Sequence, residues 1–280
     1  MNIKELYNFG RQTLSDPYFK NPGLEASLLL HAATGVDKLT YYKDQDRLVS
    51  ADEIDKYNDL LRRRLSNEPI AYILGKKEFY SREFTVDTNV LIPRPETEIL
   101  VEQTINIAKE FNHPYILDIG TGSGCIAITI MAEIAACTCV ASDISQNTLL
   151  KAKKNSVLNN TNPYFIKGSL LGSIKGETFD IIVSNPPYVK EQEFSKLENG
   201  VKNYEPKRAL IAKDNGLALI SEIINESKRV LKNGGWCLLE IGYDQSDRVV
   251  EMFELNGYKE TQVFKDLSGI DRVVKAKWKN

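Results

Sequence analysis

From residue 96 onward, short apolar runs alternate with amphipathic segments, and this alternation constrains the fold more than any other feature of the chain. The apolar runs predict strands at 115–119, 139–144, 164–167, 179–183 and 236–241. The segments beside them predict helices at 97–111, 124–136, 145–159, 216–231 and 244–256. Such an order of elements indicates an α/β fold, in which helices cover both faces of a mainly parallel sheet.

The end of the chain departs from this alternation. Residues 261–265 and 272–278 both have the pattern of strands, and only residues 266–271 connect them. A parallel pair needs a crossover of about a dozen residues or more, so these two strands should pair antiparallel. The predicted sheet is therefore mostly parallel, with an antiparallel hairpin at its C-terminal end.

The chain before residue 96 has two further patterns. Up to residue 75, apolar residues recur at helical spacing, and Ser50 followed three residues later by Glu53 predicts a capped helix start. Residues 76–92 instead alternate apolar and polar side chains around Asp87-Thr88-Asn89, as in a β-hairpin. We therefore expect three parts: a small N-terminal helical bundle at 1–75, a β-hairpin connector at 76–95 and the α/β domain at 96–280.

Charge and composition exclude several classes of protein. The 280-residue chain has a formal net charge of −2, whereas proteins that bind duplex nucleic acid are usually basic. The basic runs at 62–64 and 76–77 are the candidates for a local basic patch, although such short runs are more often a solvated helix face. The four cysteines lack paired Cys-x-x-Cys spacing and only two histidines are present, so we expect no metal site. Without a signal peptide or a long apolar run, the protein is expected in the cytoplasm and not in a membrane.

A glycine-rich turn follows the first strand of the α/β domain and precedes a helix. Its candidate ligand-binding residues are Asp118, Gly120, Thr121, Gly122, Ser123 and Gly124. Glycines let a ligand approach the backbone where a Cβ would intrude, and amides at a helix N-terminus attract an anionic group. The same pattern satisfies the fingerprint of dinucleotide-binding dehydrogenases, so that class stays open at this point.

Asp143 ends the second predicted strand, beside this turn. At the carboxyl edge of a parallel sheet, its carboxylate can accept hydrogen bonds from the two hydroxyls of a ribose. In the alternative interpretation, Asp143 caps the helix predicted at 145–159. Both interpretations place the side chain next to the glycine-rich turn.

The fourth predicted strand ends in Asn185-Pro186-Pro187-Tyr188. Two successive prolines lack N–H donors, so a central strand cannot continue through them and the chain must turn outward. The Asn185 oxygen and the Pro186 carbonyl can each accept one N–H from a ligand, while the Tyr188 ring can pack against the flat face of that ligand. These groups suit a planar substrate that bears an NH2 group, which a dehydrogenase does not require.

Three segments together resemble class I S-adenosylmethionine-dependent methyltransferases. More narrowly, they are similar to the protein-(glutamine-N5) methyltransferases that modify class I peptide-chain release factors. The segments are 92–98, 118–124 and 185–188, in the order and separation of that family and behind a helical domain of the expected size. The resemblance covers essentially the whole chain. It implies a Rossmann-like class I methyltransferase sheet, S-adenosylmethionine as the cofactor and a monomer.

The resemblance also implies roles for individual residues. Asn185, Pro186 and Tyr188 are the expected catalytic residues, Pro187 joins them in binding the substrate, and Asn185 also contacts the cofactor. After the third strand, many relatives carry an acidic residue that binds the adenine amino group, and this chain instead has Gly168-Ser169-Leu170. Ser169 and Leu170 are therefore assigned to the cofactor without that carboxylate.

The loop at 92–98 resembles the family's lid over the cofactor. Leu91 or Ile92 is expected to supply apolar cover, and Arg94 to fix the loop through an ion pair. By sequence alone, the prolines and glutamates of this loop indicate only a rigid entry into a helix.

The implied reaction moves a methyl group from S-adenosylmethionine to the side-chain amide nitrogen of the glutamine in a release-factor Gly-Gly-Gln motif. The helical domain is expected to dock that protein substrate, and no stable binding to nucleic acid is expected. An adenine-N6 methyltransferase is the first alternative, because an Asn-Pro-Pro-Tyr turn equally suits the exocyclic amine of a flipped base. A cofactor-binding scaffold without catalysis is the second.

Overall fold

The computed structural model describes residues 1–169, 171–172 and 176–279. In these ranges the helices are α1 (Ile3–Thr13), α2 (Pro22–Thr34), α3 (Lys38–Lys43), α4 (Ala51–Leu65), α5 (Ile70–Leu74), α6 (Thr97–Ala108), α7 (Cys125–Glu133), α8 (Gln146–Leu158), α9 (Asn199–Tyr204), α10 (Ala218–Val230) and α11 (Ser246–Leu255). The strands are β1 (Lys76–Phe79), β2 (Arg82–Thr85), β3 (Tyr115–Ile119), β4 (Thr138–Asp143), β5 (Tyr164–Lys167), β6 (Phe179–Ser184), β7 (Val189–Lys190), β8 (Ile211–Ala212), β9 (Leu231–Glu240), β10 (Lys259–Lys265) and β11 (Asp271–Lys277).

Among the described residues, a seven-stranded sheet has the order β10-β11-β9-β6-β3-β4-β5. The neighbours from β9 to β5 pair parallel, whereas β11 is antiparallel to both β9 and β10. The predicted α/β fold, with its antiparallel C-terminal pair, is therefore confirmed. The strand order reverses beside β3, because β4 and β5 lie on one side of it and β6 lies on the other. Open α/β sheets bind ligands at such a switch point.

Two apolar layers enclose the central strands. Successive residues of a strand point to opposite faces, so Ile116 packs with α6 and α7 while Leu117 packs with α10 and α11. Every residue of β6 is buried, as expected for a central parallel strand. This double cover holds the carboxyl ends of β3 and β6 at fixed positions.

Two local details differ from the sequence prediction. The hairpin of β1 and β2 turns at Tyr80 and Ser81, whose φ angles are 49° and 56°, and not around Asp87-Thr88-Asn89. Strand β9 begins at Leu231, earlier than the predicted residue 236. Polar and glycine residues at 232–235 interrupt its apolar pattern, so the sequence conceals the first half of this strand.

The chain separates into two compact units. The helical unit contains Met1–Gly75 together with Asn199–Tyr204, and the sheet unit contains Lys76–Glu198 and Glu205–Asn280. In the helical unit, the Tyr204 hydroxyl donates to the Ser66 carbonyl at 3.0 Å, which ties α9 to the end of α4. The sequence analysis includes these residues in the range 96–280, because nothing in their local pattern sets them apart.

The basic run at 62–64 is not a uniformly solvated helix face. Arg64 is buried, pairs with Glu25 at 2.7 Å and lies over the Phe19 ring at 4.6 Å. Arg63 pairs with Glu68 at 2.6 Å. The prediction of a solvated face is therefore wrong for Arg64, which holds helices of the bundle together. In the described part of the chain, every helix is too short or too polar to cross a membrane.

Candidate active site

A cavity of about 300 Å³ opens at the carboxyl ends of β3, β4 and β6. The predicted site residues that line it are Gly120, Gly122, Asp143, Ser169, Asn185, Pro186 and Pro187. The predicted residues outside its described lining are Asp118, Thr121, Ser123, Gly124 and Tyr188. Leu170 lies outside the described residues. The cavity therefore brings the glycine-rich turn and the Asn-Pro-Pro-Tyr turn to one place.

The glycine-rich turn is held by contacts beneath the cavity. Gly124 caps α7 with a φ of 85°, a left-handed conformation that favours glycine, and a Cβ there would lie 3.2 Å from the Ala152 Cβ. Asp118 is buried and accepts a hydrogen bond from the Thr121 hydroxyl at 2.6 Å. Burial raises the pKa of Asp118 to about 7. The Ser123 carbonyl accepts a hydrogen bond from the Asn155 side chain at 2.8 Å. These residues shape the turn from below.

Asp143, at the end of β4, lines the cavity. Its Oδ1 accepts a hydrogen bond from the Ser145 amide at 2.9 Å, and its Oδ2 accepts one from the Gly122 amide at 3.2 Å. Burial raises the pKa of Asp143. The hydrogen bonds from these two amides and the charge of Arg208 lower it, but by less. The cap of α8 is Ser145, whose hydroxyl accepts a hydrogen bond from the Thr148 amide. The alternative in which Asp143 caps this helix is therefore wrong.

The carboxyl end of β6 positions the Asn185 amide. The Ser184 hydroxyl donates to the Ile119 carbonyl of β3 at 2.7 Å, which fastens the last residue of the strand. Asn185 Nδ2 donates to Thr97 Oγ1 at 3.1 Å. The amide is thereby oriented so that its remaining polar atom, Oδ1, is the one available to accept a hydrogen bond in the cavity.

Tyr188 is held on the far side of the two prolines. Its carbonyl accepts a hydrogen bond from Gln245 Nε2 at 3.3 Å, and burial raises the pKa of its phenol. Gly216 packs against the same carbonyl, since a Cβ at that position would lie only 2.1 Å from the oxygen. The stacking of the Tyr188 ring on a substrate stays a prediction.

The loop at 92–98 is fixed by one buried glutamate. Arg94 pairs with Glu205 at 2.6 Å, and the other oxygen of Glu205 accepts a hydrogen bond from the Ile92 amide at 3.3 Å. The predicted ion pair of Arg94 is therefore confirmed. Leu91 lines the cavity, whereas Ile92 is buried outside its described lining.

Comparisons with known proteins decide the family. A family model described as "PrmC N-terminal domain" matches residues 5–75, and one described as "Methyltransferase small domain" matches residues 95–199. A release factor glutamine methyltransferase of Koribacter versatilis (strain Ellin345) is 38% identical, over 98% of this chain and 98% of its own length. The chain belongs to the release factor glutamine methyltransferase family.

Two further relatives place this family membership in context. A bifunctional methyltransferase of Rickettsia typhi is 37% identical over 98% of this chain, which spans only 57% of that relative's length. A solved methyltransferase structure from Pyrococcus furiosus has a TM-score of 0.54 at 19% identity, and the match covers 80% of this chain and 100% of that one. At this identity the structural likeness concerns the fold alone. The family resemblance and the fold class predicted from sequence are both confirmed.

The sequence analysis did not identify several residues that line the cavity. Asn89, Thr148 and Arg208 contribute to the lining, and Arg208 donates to the Ser145 and Thr148 hydroxyls at 3.0 and 3.2 Å. No local pattern marks Arg208, because a short 3-10 helix brings it to the site from a distant part of the chain. Thr97 lies within the loop at 92–98, and its contact with Asn185 requires the folded sheet.

Proposed function

We propose that the chain transfers a methyl group from S-adenosylmethionine to the side-chain amide nitrogen, N5, of the glutamine in the Gly-Gly-Gln motif of class I peptide-chain release factors. The observation that carries this proposal is the orientation of the Asn185 amide. Its Nδ2 is engaged by Thr97, so Oδ1 is presented as a hydrogen-bond acceptor, as an NH2-bearing substrate needs. Family membership supports the release factor as the substrate.

The cavity has the features that S-adenosylmethionine needs. No atom lies within 4 Å of a Cβ built on Gly120, so the wall there is open for close approach of a ligand. The Asp143 carboxylate suits the ribose hydroxyls, and Leu91 and Ile223 supply apolar surface for the adenine ring. Ser169 lies on the same wall, where it would contact the adenine. The bound cofactor supplies an electrophilic methyl group on a positively charged sulfur.

The residues of the acceptor side act on a poor nucleophile. The lone pair of an amide nitrogen is delocalised into its carbonyl, so reaction requires positive charge to build up on the NH2 group. We assign its two N–H groups to Asn185 Oδ1 and the Pro186 carbonyl, since both residues line the cavity. Both hydrogen bonds strengthen as that charge grows, which stabilises the transition state more than the bound substrate. One N–H proton then leaves to water, so no histidine is required.

We assign docking of the release factor to the helical unit, because the chemical groups described above all belong to the sheet unit. A substrate from translation termination implies a cytoplasmic enzyme, and we expect it to act as a monomer. The neutralised basic residues argue against the adenine-N6 alternative. Arg63, Arg64 and Lys76 each pair with a carboxylate within 2.7 Å. They are therefore poorly suited to bind phosphates of a duplex.

The proposal is tested by supplying labelled S-adenosylmethionine together with a release factor, total RNA or DNA in separate reactions. We expect label in the release factor, located on the Gly-Gly-Gln glutamine by mass spectrometry of its peptides. A release factor with this glutamine replaced by asparagine is the matched control and should stay unlabelled. Label in nucleic acid but not in the release factor would establish the adenine-N6 alternative instead.

A further inference from the structure

Glu240 is a buried carboxyl group at the end of β9, the neighbour of β6 in the sheet. It is 1% exposed, and its Oε2 has no hydrogen-bond partner among the described residues. Burial raises the pKa of the Glu240 carboxyl, and a side-chain hydrogen bond from Thr97 lowers it. Thr97 is itself 2% exposed and contacts Asn185 at 3.1 Å. Three buried or half-buried polar side chains from β9, α6 and the end of β6 thus form a continuous chain.

The chemistry of a hydroxyl gives this chain a direction. Thr97 has a single hydroxyl hydrogen, and a carboxylate can only accept hydrogen bonds. When that hydrogen points to Glu240, the Thr97 oxygen can only accept on the side of Asn185. The Asn185 amide must then present its Nδ2 to Thr97. A rotated amide would place Oδ1 against the Thr97 oxygen, and two acceptors would face each other with no hydrogen between them.

We propose that Glu240 and Thr97 are positioning residues that determine which end of the Asn185 amide faces the acceptor substrate. With Oδ1 in the cavity beside the Pro186 carbonyl, the site offers two acceptors and selects a group with two N–H donors. The reversed amide would offer one donor and one acceptor, which suits a hydroxyl or a carboxyl group. The series Glu240–Thr97–Asn185, called the relay below, therefore gives the site its specificity for NH2. This inference rests on the proposed function.

The test compares Thr97→Val with Thr97→Ser. Valine keeps the shape of threonine but has no hydroxyl, whereas serine keeps the hydroxyl. We expect Thr97→Val to lower kcat about tenfold or more, as for the loss of an oriented hydrogen bond, and Thr97→Ser to restore most of it. The affinity for S-adenosylmethionine should stay within a few-fold in both variants. Thr104→Val is the matched control, because Thr104 is also buried in α6 and donates only locally, to the Leu100 carbonyl at 2.7 Å.

A second readout does not depend on methylation. In protein labelled with 15N-asparagine, the side-chain NH2 signal of Asn185 is identified by its absence in Asn185→Ala. We expect its hydrogens to exchange slowly with water in the wild type and in Thr97→Ser, and about tenfold faster or more in Thr97→Val. If the wild type methylates no release factor, the proposed function fails, but this measurement still decides whether the relay exists.

Glu240→Met supplies an independent variant, because methionine fills a similar volume and cannot accept the hydroxyl hydrogen. It should speed up hydrogen exchange of the Asn185 NH2 and lower kcat, as we expect for Thr97→Val. This variant decides the question if Thr97→Val does not fold. Unchanged exchange and unchanged kcat in whichever variant folds would overturn the inference. A loss of kcat in Thr104→Val equal to that in Thr97→Val would also overturn it, since the effect would then come from any buried hydroxyl of α6.

Discussion

The two sides of the cavity are built in different ways. On the cofactor side, the Asp143 carboxylate is held by the amides of Gly122 and Ser145, which lie 21 and 2 positions away, and the Ser123 carbonyl of the turn is held by Asn155, 32 positions away. On the acceptor side, Asn185 is held by Thr97, which lies 88 positions away, and Tyr188 by Gln245, which lies 57 positions away. The first side therefore depends on contacts between neighbouring segments of the chain, whereas the second depends on segments that lie far apart in the sequence.

The sharpest test of this difference is Asn185→Ala. We expect turnover to fall by roughly 10²–10³-fold, the usual cost of removing one oriented group that stabilises a transition state. Affinity for S-adenosylmethionine should change by no more than a few-fold, because the cofactor side keeps its own supports. Calorimetry and steady-state kinetics on the same preparation measure both. Equal losses of affinity and turnover would mean that Asn185 chiefly holds the cofactor.

Gly216→Ala should damage the acceptor side through overpacking in addition to backbone strain. The glycine has a φ of 85°, and its Cβ would lie 2.1 Å from the Tyr188 carbonyl oxygen. We expect about 2–4 kcal/mol lower free energy of unfolding from backbone strain plus overpacking. Gly234→Ala is the control, since its φ is 84° and no atom lies within 4 Å of its Cβ. It should cost only the strain, roughly 1–2 kcal/mol. Equal losses in denaturant titrations would show that the Tyr188 contact is unimportant.

On the cofactor side, Asp143→Ala should weaken S-adenosylmethionine binding by about 1.5–3 kcal/mol, the range for hydrogen bonds to a charged group. The comparison variant is Ser145→Ala, which removes the cap of α8 and should cost about 0.5–2 kcal/mol of stability. Ser145→Ala should leave affinity nearly unchanged. Calorimetry and thermal unfolding together separate the two roles. An Asp143→Ala protein with normal affinity would remove this residue from the binding site.

The smallest expected effect is a change of activity with pH. Burial raises the pKa of Glu240 to about 7, so the carboxylate that directs Thr97 forms as pH rises through 7. Activity should therefore increase by a few-fold across this range. Stability should move the other way, because a carboxyl group with a raised pKa stabilises the fold at low pH and loses that contribution as pH rises through 7. The titratable groups that interact electrostatically with Glu240 are Arg272, Glu96, Arg94, Tyr188 and Cys125.

Glu240→Gln is the matching variant for the pH measurement, because glutamine does not titrate. Asp118 also has a pKa raised to about 7, and its titration remains in the variant. The difference between the two pH–rate profiles therefore isolates Glu240. Identical profiles would show that Glu240 does not control activity in this range.

The sequence analysis was most successful where local chemistry is decisive. Strand β3 was predicted with its observed bounds, and the antiparallel pairing of β10 and β11 followed from their short connection. It failed where a pattern was interrupted or where distant residues meet. Polar residues and glycines concealed the first half of β9, and nothing in the local sequence assigned Asn199–Tyr204 to the helical unit. The roles assigned to the site residues, those of Tyr188 and Ser169 among them, stay predictions.

The sequence by itself determined the family, the strand–helix alternation and the two turns that meet at the cavity. Proline, glycine and the apolar period act on the backbone within a few residues, so their consequences can be read along the chain. Only the tertiary structure decided that Thr97 contacts Asn185 and that Glu240 interacts with Thr97. It also decided that Ser145, and not Asp143, caps α8. The orientation of an amide depends on which donors and acceptors surround it, and that set exists only once β6, β9 and α6 have packed together.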